Sequence, residues 1–121
     1  MYTTKKRILR IFAVAVLFTL LLPVVGAYAA NWYTEPAPNV CSISGQTYRP
    51  SGSAYSKTTL SGITGTISAK VTLNGVTSSP NTKSGATSVT SPTLYSSSGS
   101  ASGFHTANLA VYGYYSGTSR P

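Results

Sequence analysis

Between residues 63 and 73 apolar or small and polar side chains alternate without a break, and this pattern dictates what the chain can build. Odd positions carry Ile63, Gly65, Ile67, Ala69, Val71 and Leu73, while even positions carry Thr64, Thr66, Ser68, Lys70 and Thr72. A two-residue period places one set on each face of a pleated strand, so the stretch reads as a half-buried strand with Gly65 marking a bulge. Asn74-Gly75 follows at once. This dipeptide is the strongest short hairpin signal, because both central residues of a type I′ turn need positive φ. Residues 76–83 then return antiparallel, with Pro80 confining that return to a sheet edge or a strand end.

The remaining strands are less sharply written. Ser84-Gly85 reads as the next turn, and residues 86–95 as a strand rich in Thr and Val, with Pro92 again suggesting an edge or bulge. Residues 96–103 have nothing to bury and read as a loop. A second alternation then sets Ala107, Leu109, Val111, Gly113 and Tyr115 against Thr106, Asn108, Tyr112 and Tyr114, which reads as one central strand. Shorter candidates lie at 40–44 and 54–60, separated by a turn-rich stretch over 45–53. No window carries a 3.6-residue apolar period, and there is no internal repeat. Five or six short strands predict an all-β fold, a small antiparallel β-sandwich or partly open barrel over residues 39–121.

Residues 1–29 have a different character. Lys5, Lys6, Arg7 and Arg10 precede an apolar run over 11–22, and Ala27-Tyr28-Ala29 offers small residues at the −3 and −1 positions of a cut after Ala29. This is the pattern of a secretory signal peptide, helical in its apolar part. An uncleaved anchor is the competing reading, since the apolar stretch approaches the ~20 residues that cross a bilayer. Pro23 and Gly26 favour cleavage by interrupting the helix before the small residues. Either way the basic start holds the N-terminus inside and sends the remainder out. The expected location is therefore extracellular, with residues 30–38 as an extended lead-in containing Pro36 and Pro38.

A domain of this size buries only a thin core. Small exported domains often add disulfides, but Cys41 is the sole cysteine, so no bridge within the chain is possible. Cys41 reads either as a small buried hydrophobe beside Ile43 or as the partner in an intermolecular disulfide. Beyond residue 29 the cations are Arg49, Lys57, Lys70, Lys83 and Arg120 against the single acid Glu35, a net side-chain charge of +4. Their scatter suits ordinary solubility or weak attraction to an anionic envelope polymer, and it lacks the basic stripe that nucleic acid would require.

The raw materials of most enzymes are scarce. The chain has no aspartate, one glutamate and one histidine. Glycoside hydrolysis usually takes two carboxylates, and a Ser-His-acid triad would have to be assembled from His105 and Glu35 with no nucleophile-elbow motif. Calcium wants several carboxylate oxygens, and no spacing of Cys41, His105 and Glu35 suggests zinc. The expectation is a non-enzymatic protein without a cofactor. His105 is expected at the opening of the last strand, exposed or held by a single hydrogen bond.

Binding residues are sought instead among aromatics and cations. Trp32 and Tyr33 follow the expected cut, either capping the core or forming an exposed anchor. Tyr112 and Tyr114 share one face if the last strand is continuous, as a contact surface or as core. Arg49 and Lys70 are the candidate binding cations. The resulting expectation is a secreted binding module at the bacterial cell envelope, with wall polymer, glycan or a surface protein as partner. The Gly, Ser and Tyr content is also similar to that of small exported β proteins that include bacteriocins, so a secreted cationic antimicrobial is the alternative. No amphipathic cationic helix supports simple membrane lysis.

Overall fold

The computed structural model describes residues 30–121, and the expected signal peptide lies outside them. The described residues form ten strands, more than the five or six expected because three of the expected strands are each split in two and residues 32–37 add another, and no helix: β1 (Trp32–Ala37), β2 (Cys41–Tyr48), β3 (Ser53–Ser61), β4 (Gly65–Leu73), β5 (Val76–Thr77), β6 (Asn81–Ala86), β7 (Ser88–Thr90), β8 (Leu94–Tyr95), β9 (Ala101–Leu109) and β10 (Gly113–Ser119). They make two antiparallel sheets. The first runs β1-β2-β3-β7 with β8 also on β3, and the second runs β10-β9-β4-β5 with β6 also on β4.

The alternation in β4 is realised as expected. Ile67, Ala69, Val71 and Leu73 are buried, and Thr66, Ser68, Lys70 and Thr72 face outward. Asn74 and Gly75 adopt φ of 51° and 78°, the two positive values a type I′ turn requires, and Leu73 pairs with Val76 across it. The register against β6 slips between Gly65 and Ile67, so Gly65 does sit at an irregularity. A Cβ there would stand 2.7 Å from a Leu109 methyl, which explains why the position is glycine. Pro80 divides the returning chain into β5 and β6, both paired to β4.

Five expectations are corrected. Ser84-Gly85 does not reverse the chain: both lie in β6, and the chain instead changes sheets at Thr87, whose carbonyl accepts from the Leu60 amide at 2.7 Å. Residues 86–95 are therefore two short strands on β3 rather than one. The turn-rich stretch shrinks, because β2 continues to Tyr48 with Gly45 and Thr47 on its buried face. The tract 96–103 is a loop only as far as Ser100, since Ala101 and Gly103 open β9 and are buried. The expected single last strand is a hairpin, β9 and β10, turning through residues 110–112 with Leu109 opposite Gly113. Gly113 supplies the positive φ, 92°, that a three-residue hairpin loop needs after its turn.

The sheets face each other across two apolar clusters. One holds Ile43, Leu60, Ile67, Ala69, Val89, Ala107 and Leu109, and the other Ala54, Val71, Leu73 and Ala101. The N-terminal segment is not a free lead-in, for β1 pairs along β2 with Trp32 opposite Gly45 and Tyr33 opposite Ser44. At its start Ala30 exchanges both backbone hydrogen bonds with Arg120, at 3.2 and 2.9 Å. The edge of the first sheet is thereby tied to the edge of the second.

A tyrosine-bearing sheet face and a buried histidine

On the outer face of the first sheet, strand alternation brings Tyr33 and Glu35 of β1 beside Ser42, Ser44, Gln46 and Tyr48 of β2 and Tyr55, Lys57, Thr59 and Ser61 of β3. Tyr48 lies directly opposite Tyr55, and the rings stack at 4.9 Å with 22° between their planes. Two of the tyrosines lean along their own strands. The Tyr33 hydroxyl donates to Glu35 Oε1 at 2.7 Å, and the Tyr48 hydroxyl donates to Gln46 Oε1. The hydrogen bond to the Glu35 carboxylate raises the Tyr33 phenol above its usual pKa. Tyr33 keeps 59% of its surface exposed, so its ring is offered to solvent. Beside it, Tyr33, Glu35, Asn39, Val40, Cys41, Ser42 and Ser61 line an open cleft of about 240 Å³ at the β1–β2 turn.

The other sequence-derived candidates do not join this face. Tyr112 falls in the β9–β10 turn, half-buried against the larger apolar cluster, so it shares no strand face with Tyr114. Its carbonyl accepts from the Tyr115 hydroxyl at 2.9 Å, while Tyr114 stands exposed on the second sheet. Lys70 sits over the Phe104 ring, 5.0 Å from its centroid, also on the second sheet. Arg49 is a loop clamp. Its guanidinium donates to the carbonyls of Pro50, Ser53, Ser96, Ser98 and Gly99 at 3.0–3.4 Å, joining the β2–β3 loop to the tract before β9. Cys41 is a buried thiol with 5% exposure, so another chain reaches it only after a local opening.

His105 departs furthest from expectation. It has no exposed surface, and it makes two hydrogen bonds rather than one. β9 opens at Ala101, four residues earlier than the pattern suggests, and this turns His105 inward with Ala101, Gly103 and Ala107. Space for the imidazole comes from glycine: a Cβ on Gly45 would lie 2.4 Å from the ring. Trp32 stacks with the ring at 6.1 Å and 16°, and Gly117 makes room for that indole in turn. Of the two readings of Trp32, the structure favours the one in which it packs against the core.

The tautomer follows from counting protons. The Thr58 hydroxyl donates to the Ser68 carbonyl at 2.8 Å, so it has only a lone pair to offer His105 Nδ1, also at 2.8 Å. Nδ1 therefore carries the hydrogen. Nε2 is left as the acceptor, and the Ser119 hydroxyl donates to it at 2.6 Å. Thr47 Oγ1 stands 2.7 Å from Ser119 Oγ and supports it from behind. Every buried side-chain polar atom among the described residues has a partner. Burial pushes the imidazole down to a pKa of about 4, so the ring is neutral at pH 7.

A serine hydrogen-bonded to an oriented histidine has the parts of a nucleophilic pair. In this structure both members of the pair are closed to a substrate, because Ser119 is 1% exposed and His105 has no exposed surface. The arrangement acts as a polar plug in the core.

Sequence reasoning missed the Tyr48–Tyr55 pair because residues 45–53, which hold Tyr48, look like turn. Extending β2 from Ile43 through Gly45 and Thr47 would have exposed the pairing, had small and hydroxyl side chains been admitted to the inner face. No family model, curated protein or solved structure matches the chain, so its functional reading rests on the arrangement of its own residues.

Proposed function

We propose that the chain is a secreted, non-enzymatic binding module of the bacterial cell envelope, and that it makes contact through the outer face of the first sheet. One observation carries the reading: Tyr33, Tyr48 and Tyr55 share that face over a floor of Ser, Thr and Gln, and none is needed to fill the core. Rigid amphipathic rings cost little entropy to immobilise and make strong contacts on a flat surface. The charge pattern at the N-terminus supports export, and the net +4 beyond it suits a generally anionic envelope.

In this reading the two sheets form a small sandwich whose edges are drawn toward a partly open barrel by the Ala30–Arg120 bridge and the crossing at Thr87. That closure gives the outer face a rigid base. The partner contacts outer-face side chains, while the polar plug keeps the two sheets in register beneath them.

The test is to purify residues 30–121, confirm a folded β spectrum, and measure sedimentation with isolated cell walls of Gram-positive bacteria. Wall binding that falls in a Tyr33→Ala, Tyr48→Ala, Tyr55→Ala triple variant is the expected result. Binding that survives the triple variant and falls in Tyr114→Ala would move the site to the second sheet. Growth inhibition of related strains without wall retention would replace the module reading with a bacteriocin-like one.

A further inference from the structure

The outer face of the first sheet has two aromatic stations, separated along β2. Tyr33 lies level with Ser44, and the Tyr48–Tyr55 pair stands four residues further on. At the rise of an antiparallel strand this is ~13 Å, too far for one small ring to bridge and suitable for a short chain of rings. Between the stations lie Ser44, Gln46 and Thr59, neutral groups that each donate and accept, together with Lys57 opposite Gln46. Beyond Tyr33 the row ends in the open cleft, where Glu35, Asn39, Ser42 and Ser61 add a carboxylate, an amide and two hydroxyls.

Charge on this surface is nearly balanced. Among the described residues Lys57 is the only cation and Glu35 the only anion on the face, while Arg49 is engaged with loop carbonyls. An anionic polymer would meet a carboxylate at the cleft and only one lysine along the row. A peptide side chain would find little apolar anchorage, since the cleft is lined mainly by polar groups. A neutral sugar chain meets what it needs at each position. The C–H face of a pyranose ring stacks on a tyrosine, and its hydroxyls exchange hydrogen bonds with serine, threonine, amide and carboxylate groups.

We infer that the first sheet binds a neutral, extended oligosaccharide that lies along β2, with one sugar on Tyr33 at the cleft and another against the Tyr48–Tyr55 pair; this rests on the binding-module reading of the same face. The Tyr33–Glu35 and Tyr48–Gln46 hydrogen bonds hold these two rings along their strands before the ligand arrives. Ordering costs that a free tyrosine would incur on binding are thereby reduced.

The experiment is titration calorimetry of residues 30–121 with three probes: the β-linked hexamer of N-acetylglucosamine, the β-linked hexamer of glucose, and poly(glycerol phosphate). The expected result is binding of at least one hexamer, little changed by salt, and weakened roughly tenfold by Tyr33→Ala and by Tyr48→Ala separately. Trimers of the same sugar should bind markedly more weakly, because they do not span both stations. Tyr114→Ala on the other sheet should leave the affinity unchanged, and circular dichroism of each variant checks its fold. Salt-sensitive binding of poly(glycerol phosphate) alone would overturn the inference, as would failure of both hexamers at millimolar concentration. Failure of the hexamers with wall binding still lost in the triple variant would overturn the sugar while leaving the envelope reading in place. Loss of wall binding altogether would remove that reading too.

Discussion

The larger strands are joined by different chemistry near one end and at their middle, where a polar layer lies between the two apolar clusters. Around Ile43, Leu60, Ile67 and Leu109 the sheets meet through aliphatic side chains, and any of several similar shapes would fill the space. One pleat further along the same strands they meet through His105, Thr58, Ser56, Thr47 and Ser119, and there each proton has an assigned acceptor. The aliphatic end tolerates variation in shape. The polar layer demands registration, since sliding a strand by one pleat would leave buried hydroxyls and an imidazole without partners. Gly45 and Gly117 belong to that demand, because their missing side chains are the space that His105 and Trp32 occupy.

The largest effect expected on this contrast comes from His105→Ala, which removes the hub on which Trp32, Thr58 and Ser119 converge. A loss of about 4 kcal/mol in chemical denaturation is expected from the cavity and the forfeited hydrogen bonds. The aliphatic counterpart, Leu109→Ala, should cost about 3 kcal/mol, and Leu109→Met less than about 1.5 kcal/mol because that end can repack. An equal cost for the methionine and alanine variants would erase the claimed tolerance. Gly45→Ala should be worse than its one added methyl suggests, about 2–3 kcal/mol, as the new Cβ drives into the imidazole. Trp32 is the chain's single tryptophan. Its emission should shift to the red in that variant if the indole is pushed off the ring, and an unchanged spectrum would mean that the stack is insensitive to His105.

Acid sharpens the same comparison without a mutation. His105 holds a pKa of about 4 when folded and near 6.5 when unfolded, so between those values the unfolded chain takes up a proton that the folded chain refuses. Stability contributed by the neutral ring is complete above about pH 6.5, declines as the pH falls, and levels off below about 4. The total loss should be on the order of 3 kcal/mol. His105 is the only histidine, so His105→Ala should flatten this part of the curve, and a slope that persists would assign the effect elsewhere. The smallest loss among the alanine variants belongs to Arg49→Ala, about 1–2 kcal/mol, with faster amide exchange confined to the loops it clamps.

Legibility in the sequence followed the same division. The aliphatic end was readable from alternation in β4, and the type I′ turn from Asn74-Gly75. The polar layer was not readable, because Thr47, Ser56, Thr58 and Ser119 are residue types that normally mark an outer face. β2 consequently looked as if it ended at Ser44, which hid the Tyr48–Tyr55 pair. Tyr112 and Tyr114 looked like neighbours on one strand because nothing between Leu109 and Gly113 carries a two-residue turn signature; the third loop residue escaped notice. Arg49 showed only its charge, whereas its five carbonyl partners come largely from a tract some fifty residues away.

By itself the sequence determined that this is an all-β chain of antiparallel strands with one sharp hairpin, since two-residue periodicity and turn chemistry are local properties. It also restricted the chemistry available, through one histidine, one acid and one cysteine. Tertiary structure alone decided which sheet each short strand joined, that the histidine would be buried neutral, and which tyrosines would share a face. Those outcomes depend on what lies across the sheet or across the core, where a hydroxyl becomes a core residue only when a partner stands within hydrogen-bonding distance.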